Sequence, residues 1–467
     1  MKTYVIVGTG GRSVMYLDAL SQEFKSTSRL VAICDKNPGR LQLAFDRYRN
    51  KCPNLMAYTH HDFEKMLAEQ KPDYVVVCTK DSRHDDYICK SLEAGHDVIT
   101  EKPMTIDGKM CQRIVDTVKK TGRSVRVTFN YRYSPPRTQI KDILMKGTIG
   151  KVLSVDFQWM LDTSHGADYF RRWHRNKENS GGLMVHKASH HFDLVNWWLD
   201  SCPVSVFAKG GRVFYNSERA KSYGLENHGK RCLECSVSDR CNYYLDMNSY
   251  EEIKKLYLDC EKHDGYYRDM CVFGDEITIE DTMNLVVGYQ SGTLLSYSLN
   301  AFSPWEGYKV AFNGTKGRLE HECHTSSYLN GDGSLPSEIQ TEDKGVCVYP
   351  HFKTPYTIKT WKGKGSHGGG DAVMLNDIFG TPDNDPYQRS ADYVQGAYAI
   401  LVGIAANMSM KTNREIRVED IVKGLPLPKM ANKTQVIEKI EYVENVIRTV
   451  DGVKSLANIP LRIDAPA

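Results

Sequence analysis

The chain has 467 residues, 41% hydrophobic and 25% charged, with 61 basic against 58 acidic side chains and a formal charge of +3. That length implies two or three domains and room for a buried pocket. The balanced charge, without a long Lys/Arg run, argues against nucleic acid as a partner. No uninterrupted apolar stretch reaches the roughly 18 residues of a membrane span.

The opening MKTYVIVGTGG enters a strand pattern by residue 3 or 4 and leaves no room for a secretory signal, so the chain is expected to be cytoplasmic. Its thirteen cysteines agree. Most stand singly in apolar runs, as Cys34 does in VAICD and Cys78 in YVVVCT, and read as reduced, buried thiols.

Over residues 1–130 the strand-like runs TYVIVG, RLVAICD, PDYVVVCT, HDVIT and SVRVTFN alternate with helical patterns such as GRLQLAFDRYRN and GKMCQRIVDTVKK. This alternation predicts an α/β domain with a parallel sheet. From 131 to 430 longer strands take over, among them KVLSVDFQWM, PVSVFAKGGRV and DTMNLVVGYQSGTLLSYSLNAF, with a hairpin turn at Gln290-Ser291-Gly292. An α+β domain with an open, mostly antiparallel sheet is expected. A polar, cysteine-bearing insertion interrupts it at about 215–276, helices are predicted near 371–408, and 431–467 reads as a C-terminal tail.

Directly after the first strand, VIVGTGGRS supplies Gly8, Gly10, Gly11, Arg12 and Ser13. Gly8 permits a tight turn, Gly10 lets a pyrophosphate approach the backbone, and small Ser13 replaces the third glycine of a Rossmann fingerprint. The second strand ends in Asp35, where a carboxylate accepts from a ribose 2′-OH. This favours NAD over NADP, against which Lys36 and Arg40 stand nearby.

The fifth strand runs into 100-TEKPMT-105, placing Glu101 and Lys102 at the carboxyl edge of the sheet. Here the chain resembles the Gfo/Idh/MocA oxidoreductases. The resemblance rests on Gly8 and Gly10, Asp35, His84 with 92-LEAGHDVITEKPMT-105, 130-NYRYSPP-136, 147-GTIGKV-152, and 181-GGLMVHKASHHFDLVNWWL-199. It implies a dinucleotide site including Thr79, His84, Glu101 and Lys102, a lysine beside the nicotinamide, and an often cis peptide before Pro103. It also implies an Asp and a His four residues apart on a helix facing the nicotinamide. In this sequence those positions hold His186 and His190, so a histidine replaces the aspartate.

Residues i and i+4 share a helix face, so both imidazoles are expected to reach one substrate. The spacing also suits zinc, but the hydrolytic motif needs Glu where Lys187 stands. Acid/base work is the preferred reading, with His190 taking a hydroxyl proton and Lys102 steadying the oxyanion. His191, Asp193, Trp197 and Trp198 read as packing residues. Tyr131, Arg132, Tyr133, His165, Arg172, Trp173 and His367, with Asp371, are expected to line a polyol pocket.

Cys232-x-x-Cys235 with Cys241 offers three thiolates for a closed, structural zinc site, with Cys271, Cys260, His228 or His263 as fourth ligand and an iron-sulfur cluster as minor alternative. The resemblance favours Cys271. Such a site is worth on the order of 10 kcal/mol to an insertion with little core. The expected function is NAD-dependent oxidation of a secondary hydroxyl on a sugar, glycoside or cyclitol, with pyranose C3 one candidate position, by a homodimer or homotetramer. The alternatives are a redox-neutral glycoside hydrolase or lyase, and a cofactor-sensing regulator.

Overall fold

A computed structural model describes residues 1–337, 344–363, 366–382 and 384–429, so the expected tail at 431–467 lies outside the described residues. Six short runs form parallel strands: β1 (Lys2–Val7), β2 (Ser28–Asp35), β3 (Met56–Thr59), β4 (Tyr74–Val77), β5 (Asp97–Thr100) and β6 (Val125–Val127). Their order is β6-β5-β4-β1-β2-β3. The direction of winding therefore reverses between β1 and β4, which opens a crevice beyond their carboxyl ends. Val75, Val76 and Val77 are fully buried, as strands covered by helices on both faces require. The sequence pattern had pointed to five of these strands; β3 was missed because its pattern, MAYT, buries only Tyr58.

The second sheet is built from β7 (Val152–Asp162), β8 (Pro203–Gly211), β9 (Thr282–Tyr289), β10 (Leu294–Ser303), β11 (Glu306–Gly314), β12 (Gly317–Ser326), β13 (Val346–Pro350) and β14 (Tyr356–Ile358). Two short strands come later, β15 (Ala391–Asp392) and β16 (Ile416–Arg417). β16 completes a nine-stranded order β14-β13-β12-β11-β7-β10-β9-β8-β16, while β15 pairs antiparallel with β6 and ties the second domain to the first sheet. Every pairing in the large sheet is antiparallel except β7 with β10. The β9–β10 hairpin turns at Gly292, whose φ of +82° suits glycine.

Along β7 the period-2 alternation is plain. Val155, Phe157 and Trp159 are buried while Asp156 and Gln158 are exposed, so one sheet face carries the core and the other is open. The helices Ser189–Leu199 and Tyr393–Thr412 cover the inner face. Both are buried nearly all round, the second by an almost wholly apolar sequence and the first with Ser189, His190, His191 and Asp193 buried among its apolar residues. The 215–276 insertion has short helical pieces, including Glu251–Leu256, Leu258–Cys260 and Glu261–Asp264.

Candidate active site

The loop after β1 can take a dinucleotide. A Cβ on Gly8 would sit 2.6 Å from the Cys78 carbonyl oxygen, so only glycine fits there, whereas a Cβ on Gly10 would meet nothing within 4 Å. The space over Gly10 is open to a pyrophosphate. Ser13 fills the third-glycine position by donating its hydroxyl to the Gly10 carbonyl at 2.7 Å. Asp35 accepts from the Thr9 amide (2.6 Å) and hydroxyl (2.9 Å) and from the Asn37 amide (2.7 Å). With roughly four acceptor sites on a carboxylate, one remains for a ribose hydroxyl.

Arg12 and Glu101 brace this loop against the EKP segment. Glu101 accepts from Arg12 Nε at 2.6 Å, from the Tyr16 hydroxyl at 2.7 Å and from the Lys102 amide at 3.2 Å. Burial raises its pKa, but Arg12 and Tyr16 hold it below the usual carboxylate range. His84 is fully buried, with Nδ1 2.8 Å from the Pro103 carbonyl and Nε2 3.0 Å from that of Thr79. It thereby fastens two crevice loops together. The Lys102–Pro103 peptide is cis.

Lys102 projects from the end of β5 toward 181-GGLMVHKASHHF-192, and that segment corrects the expectation of one continuous helix. It forms a turn, Leu183–His186, then a second helix, Ser189–Leu199, with Lys187 and Ala188 between them. The His190 amide bonds to the Lys187 carbonyl and the Ala188 amide to that of Leu183, so the regular ladder is broken. The break frees the His186 carbonyl, which accepts from Lys102 Nζ at 3.0 Å.

His186 Nε2 lies 3.5 Å from the same Nζ, and its Nδ1 lies 2.5 Å from Asp81 Oδ2. Burial, reinforced by Lys102, lowers the His186 pKa well below the ordinary histidine value. Burial raises that of Asp81, opposed by the Lys102 charge. An ammonium can only donate, so Nε2 is the acceptor facing Lys102 and the proton sits on Nδ1, donated to Asp81 Oδ2. Lys102 is itself pushed down to about 8 by burial, despite Asp81 and Glu101. His190 stacks on Tyr131 with ring centroids 4.1 Å apart, and its Nδ1 is buried without a protein partner. Burial and the nearby Lys102 keep it neutral as well.

The structure divides the expected substrate residues. Tyr131 backs His190, and its hydroxyl accepts from Lys187 Nζ at 3.4 Å. Lys187 also reaches Glu306 at 3.2 Å, and Glu306 in turn bonds His165 Nδ1 at 2.8 Å. Trp173 stacks on His174, whose ring packs edge-on against His186 with centroids 4.3 Å apart. Arg172 is held by Asp168 at 3.0 Å, and its charge reaches Asp81 and His186. His367 lies 5.9 Å from the Tyr131 ring and bonds Asp371 at 2.7 Å.

Arg132 and Tyr133 are used elsewhere. Arg132 is 1% exposed in a two-point ion pair with Asp193 at 2.7 and 2.6 Å, so both residues serve packing between helices. The Tyr133 hydroxyl donates to Asp377 at 2.6 Å. His191 bonds the Tyr297 hydroxyl at 2.7 Å and stacks on Trp159.

Asp81, His174, Lys187 and Glu306 escaped the sequence reading as site residues. Asp81 follows the carboxyl end of β4 beside the winding reversal, a position that alone could have marked it.

All thirteen cysteines are free. Among the described residues no group of three or more His, Cys, Asp or Glu side chains is arranged as a metal site. Cys232, Cys235, Cys241, Cys271 and His228 nonetheless line one cavity, where Cys271 Sγ is 3.3 Å from His228 Nδ1. Among the described residues no helix is long and apolar enough to cross a membrane.

Comparison with known proteins agrees with this fold. Residues 2–129 match the model described as an oxidoreductase family with an NAD-binding Rossmann fold, and residues 141–419 that of its C-terminal alpha/beta domain. A Bacillus subtilis (strain 168) protein named as an oxidoreductase, YteT, is 37% identical over 90% of this chain and 99% of its own length. The inositol 2-dehydrogenase/D-chiro-inositol 3-dehydrogenase of Lactiplantibacillus plantarum is 28% identical over 44% of this chain and 54% of its own. The WlbA dehydrogenase of Bordetella pertussis, solved with NADH and UDP-GlcNAcA, superposes with a TM-score of 0.59 at 17% identity, covering 89% of this chain and 98% of that one.

Proposed function

This chain belongs to the Gfo/Idh/MocA oxidoreductase family, and we propose that it uses NAD to oxidise a secondary hydroxyl of a sugar, glycoside or cyclitol, C3 of a pyranose being one candidate position. The observation that carries the reading is the convergence of Lys102 with His186, backed by Asp81, beside a loop that fits a dinucleotide. Bound NAD would supply the hydride acceptor. Gly8, Gly10, Gly11, Arg12, Ser13, Asp35, Thr79, His84, Glu101 and Lys102 would hold or shape its site.

On the protein's side the work is proton handling. His190 takes the hydroxyl proton, and the Lys102 ammonium holds the oxygen as negative charge develops, until the carbon that gives up hydride becomes a carbonyl. Asp81 and the His186 carbonyl position Lys102. Tyr131, His165, Arg172, Trp173 and His367 offer the ring faces and charged donors that a polyol needs.

One observation favours a second reading. His186 with Asp81 is a base beyond those that dehydrogenation uses, and redox-neutral glycoside cleavage needs one for the C–H next to the transient ketone. Incubating the protein with NAD and a panel of nitrophenyl glycosides and inositols separates the two. NADH accumulation supports oxidation, aglycone release without NADH supports cleavage, and neither product from any member overturns both.

Three further parts belong to the same proposal. Cys232, Cys235, Cys241 and Cys271 bind one structural zinc, supported by their shared cavity. The open sheet face, where Phe207, Val286 and Leu294 stay exposed, mediates a homodimer or homotetramer, which light scattering would check. Free thiols throughout suit a cytoplasmic enzyme.

A further inference from the structure

The insertion does more than extend the second domain, because its 251–269 stretch lies across the dinucleotide crevice. At one end the Tyr257 hydroxyl accepts from the Gly11 amide at 3.2 Å. In the middle the Cys260 carbonyl accepts from the buried Asn37 amide group at 3.0 Å, and Cys260 and His263 pack so closely on Gly39 that a Cβ there would come within 2.8 Å of Cys260 Sγ. Asp264 then forms an ion pair with Arg40, whose side chains are only 11% and 8% exposed for Arg40 and Asp264 respectively. At the far end Arg268 clasps Asp168 at 2.5 and 3.0 Å, on the helix that carries Tyr169 and Arg171.

The Asp264 contact bears on cofactor choice. A 2′-phosphate differs from a 2′-hydroxyl by about −1.5 to −2 charges and needs a guanidinium or ammonium near the end of β2. Beyond Asp35 the chain offers Lys36, which is exposed, and Arg40 on the first turn of the next helix. Arg is the better phosphate ligand because its fork binds two oxygens at once. Here that fork is turned to a carboxylate brought from more than two hundred residues away. Asp35, Lys36, Arg40 and Asp264 together sum to no net charge. A phosphate entering would have to displace Asp264 from a largely buried pair.

We propose that Asp264 is a specificity-determining residue that makes the cofactor site select NAD over NADP by occupying Arg40. This rests on the family's nicotinamide-dinucleotide site and not on the choice of substrate.

The test is direct titration of the purified full chain with NAD and NADP, followed by quenching of its intrinsic fluorescence in the absence of any sugar. Asp264→Asn, which keeps size and loses charge, is expected to tighten NADP binding about tenfold while NAD changes less than threefold. Adding Arg40→Gln to it is expected to abolish that gain. Arg40→Gln alone, which bares the Asp264 carboxylate, is expected to bring no gain in NADP affinity, and this arm stands even if Asp264→Asn fails to fold. An unchanged NADP to NAD ratio in Asp264→Asn, a gain that survives without Arg40, or tighter NADP binding in Arg40→Gln alone would each overturn the proposal. Absence of binding by either dinucleotide would count instead against the oxidoreductase reading itself.

Discussion

His186 Nδ1 and Asp81 Oδ2 lie 2.5 Å apart, joining a helix of the second domain to the loop after β4 across 105 residues of sequence. The bond fixes the imidazole tautomer, so that Nε2 faces Lys102 as an acceptor. Replacing Asp81 by Asn removes the charge that Lys102 and His186 are arranged around. We expect kcat to fall about 100-fold with KM within threefold, in line with the loss of one positioned proton-handling group. As Asp81 acts through its neighbours, the pH profile must also move. With one carboxylate fewer beside it, the Lys102 pKa drops and the alkaline limb shifts to lower pH.

The position of that limb is set by Lys102 itself. Burial brings Lys102 to about 8, while His190 stays neutral across the working range. The ammonium that steadies the oxyanion is therefore lost as pH rises through about 8, and kcat/KM for oxidation should decline there. His190→Ala should lower kcat by 10²–10⁴-fold without moving the limb.

Stability follows the opposite sign. A lysine whose folded pKa lies below its unfolded value opposes folding by its full amount below the folded pKa, and the penalty fades as pH rises from about 8 toward 10.5. For Lys102 the gap corresponds to about 3 kcal/mol. Lys102→Met should therefore be inactive but no less stable than wild type at pH 7 in thermal melts, with its advantage shrinking above pH 9. A marked loss of Tm at pH 7 would contradict this.

Several parts of the site were legible because they sit on short motifs. Gly8, Gly10, Asp35 and the EKP segment mark the carboxyl edge of a parallel sheet by local pattern alone. The His186–His190 spacing was legible too, but the helix break between them was not. Lys187 and Ala188 carry no helix-breaking signal, and at the break Lys102, from the loop after β5, bonds the carbonyl of His186 while Glu306 on β11 bonds the side chain of Lys187. Asp81, Glu306 and Asp264 lie outside any motif, and their partners are 105 to 224 residues away in sequence. Charge alone could not sort Arg132 from Arg172. Only burial does, since one faces Asp193 in the core and the other stands near His186.

The Arg132–Asp193 pair gives a test that separates packing from substrate binding. Both side chains are at most 1% exposed, and removing one partner strands the other charge in the core. The usual cost of breaking such a pair is about 3–5 kcal/mol. Arg132→Met should therefore lower the denaturation midpoint sharply, while the KM of whatever fraction folds stays near wild type. A raised KM with unchanged stability would return Arg132 to the substrate site.

The zinc proposed for the cysteine cavity would link the insertion to the cofactor crevice. Arg231, next to Cys232, bonds both Glu261 and Asp269, so the thiol cluster anchors the same stretch that delivers Tyr257 and Asp264 to the dinucleotide loop. Elemental analysis should find about one zinc per chain, and Cys235→Ser should lose it. Metal loss should then loosen the stretch at its root, weakening NAD binding and lowering Tm, with kcat at saturating NAD little changed since no thiol touches Lys102 or His190. Cys347→Ser, on a distant strand, serves as the control and should alter none of these. Wild-type protein that carries no metal yet melts and binds NAD as Cys235→Ser does would remove zinc from the account.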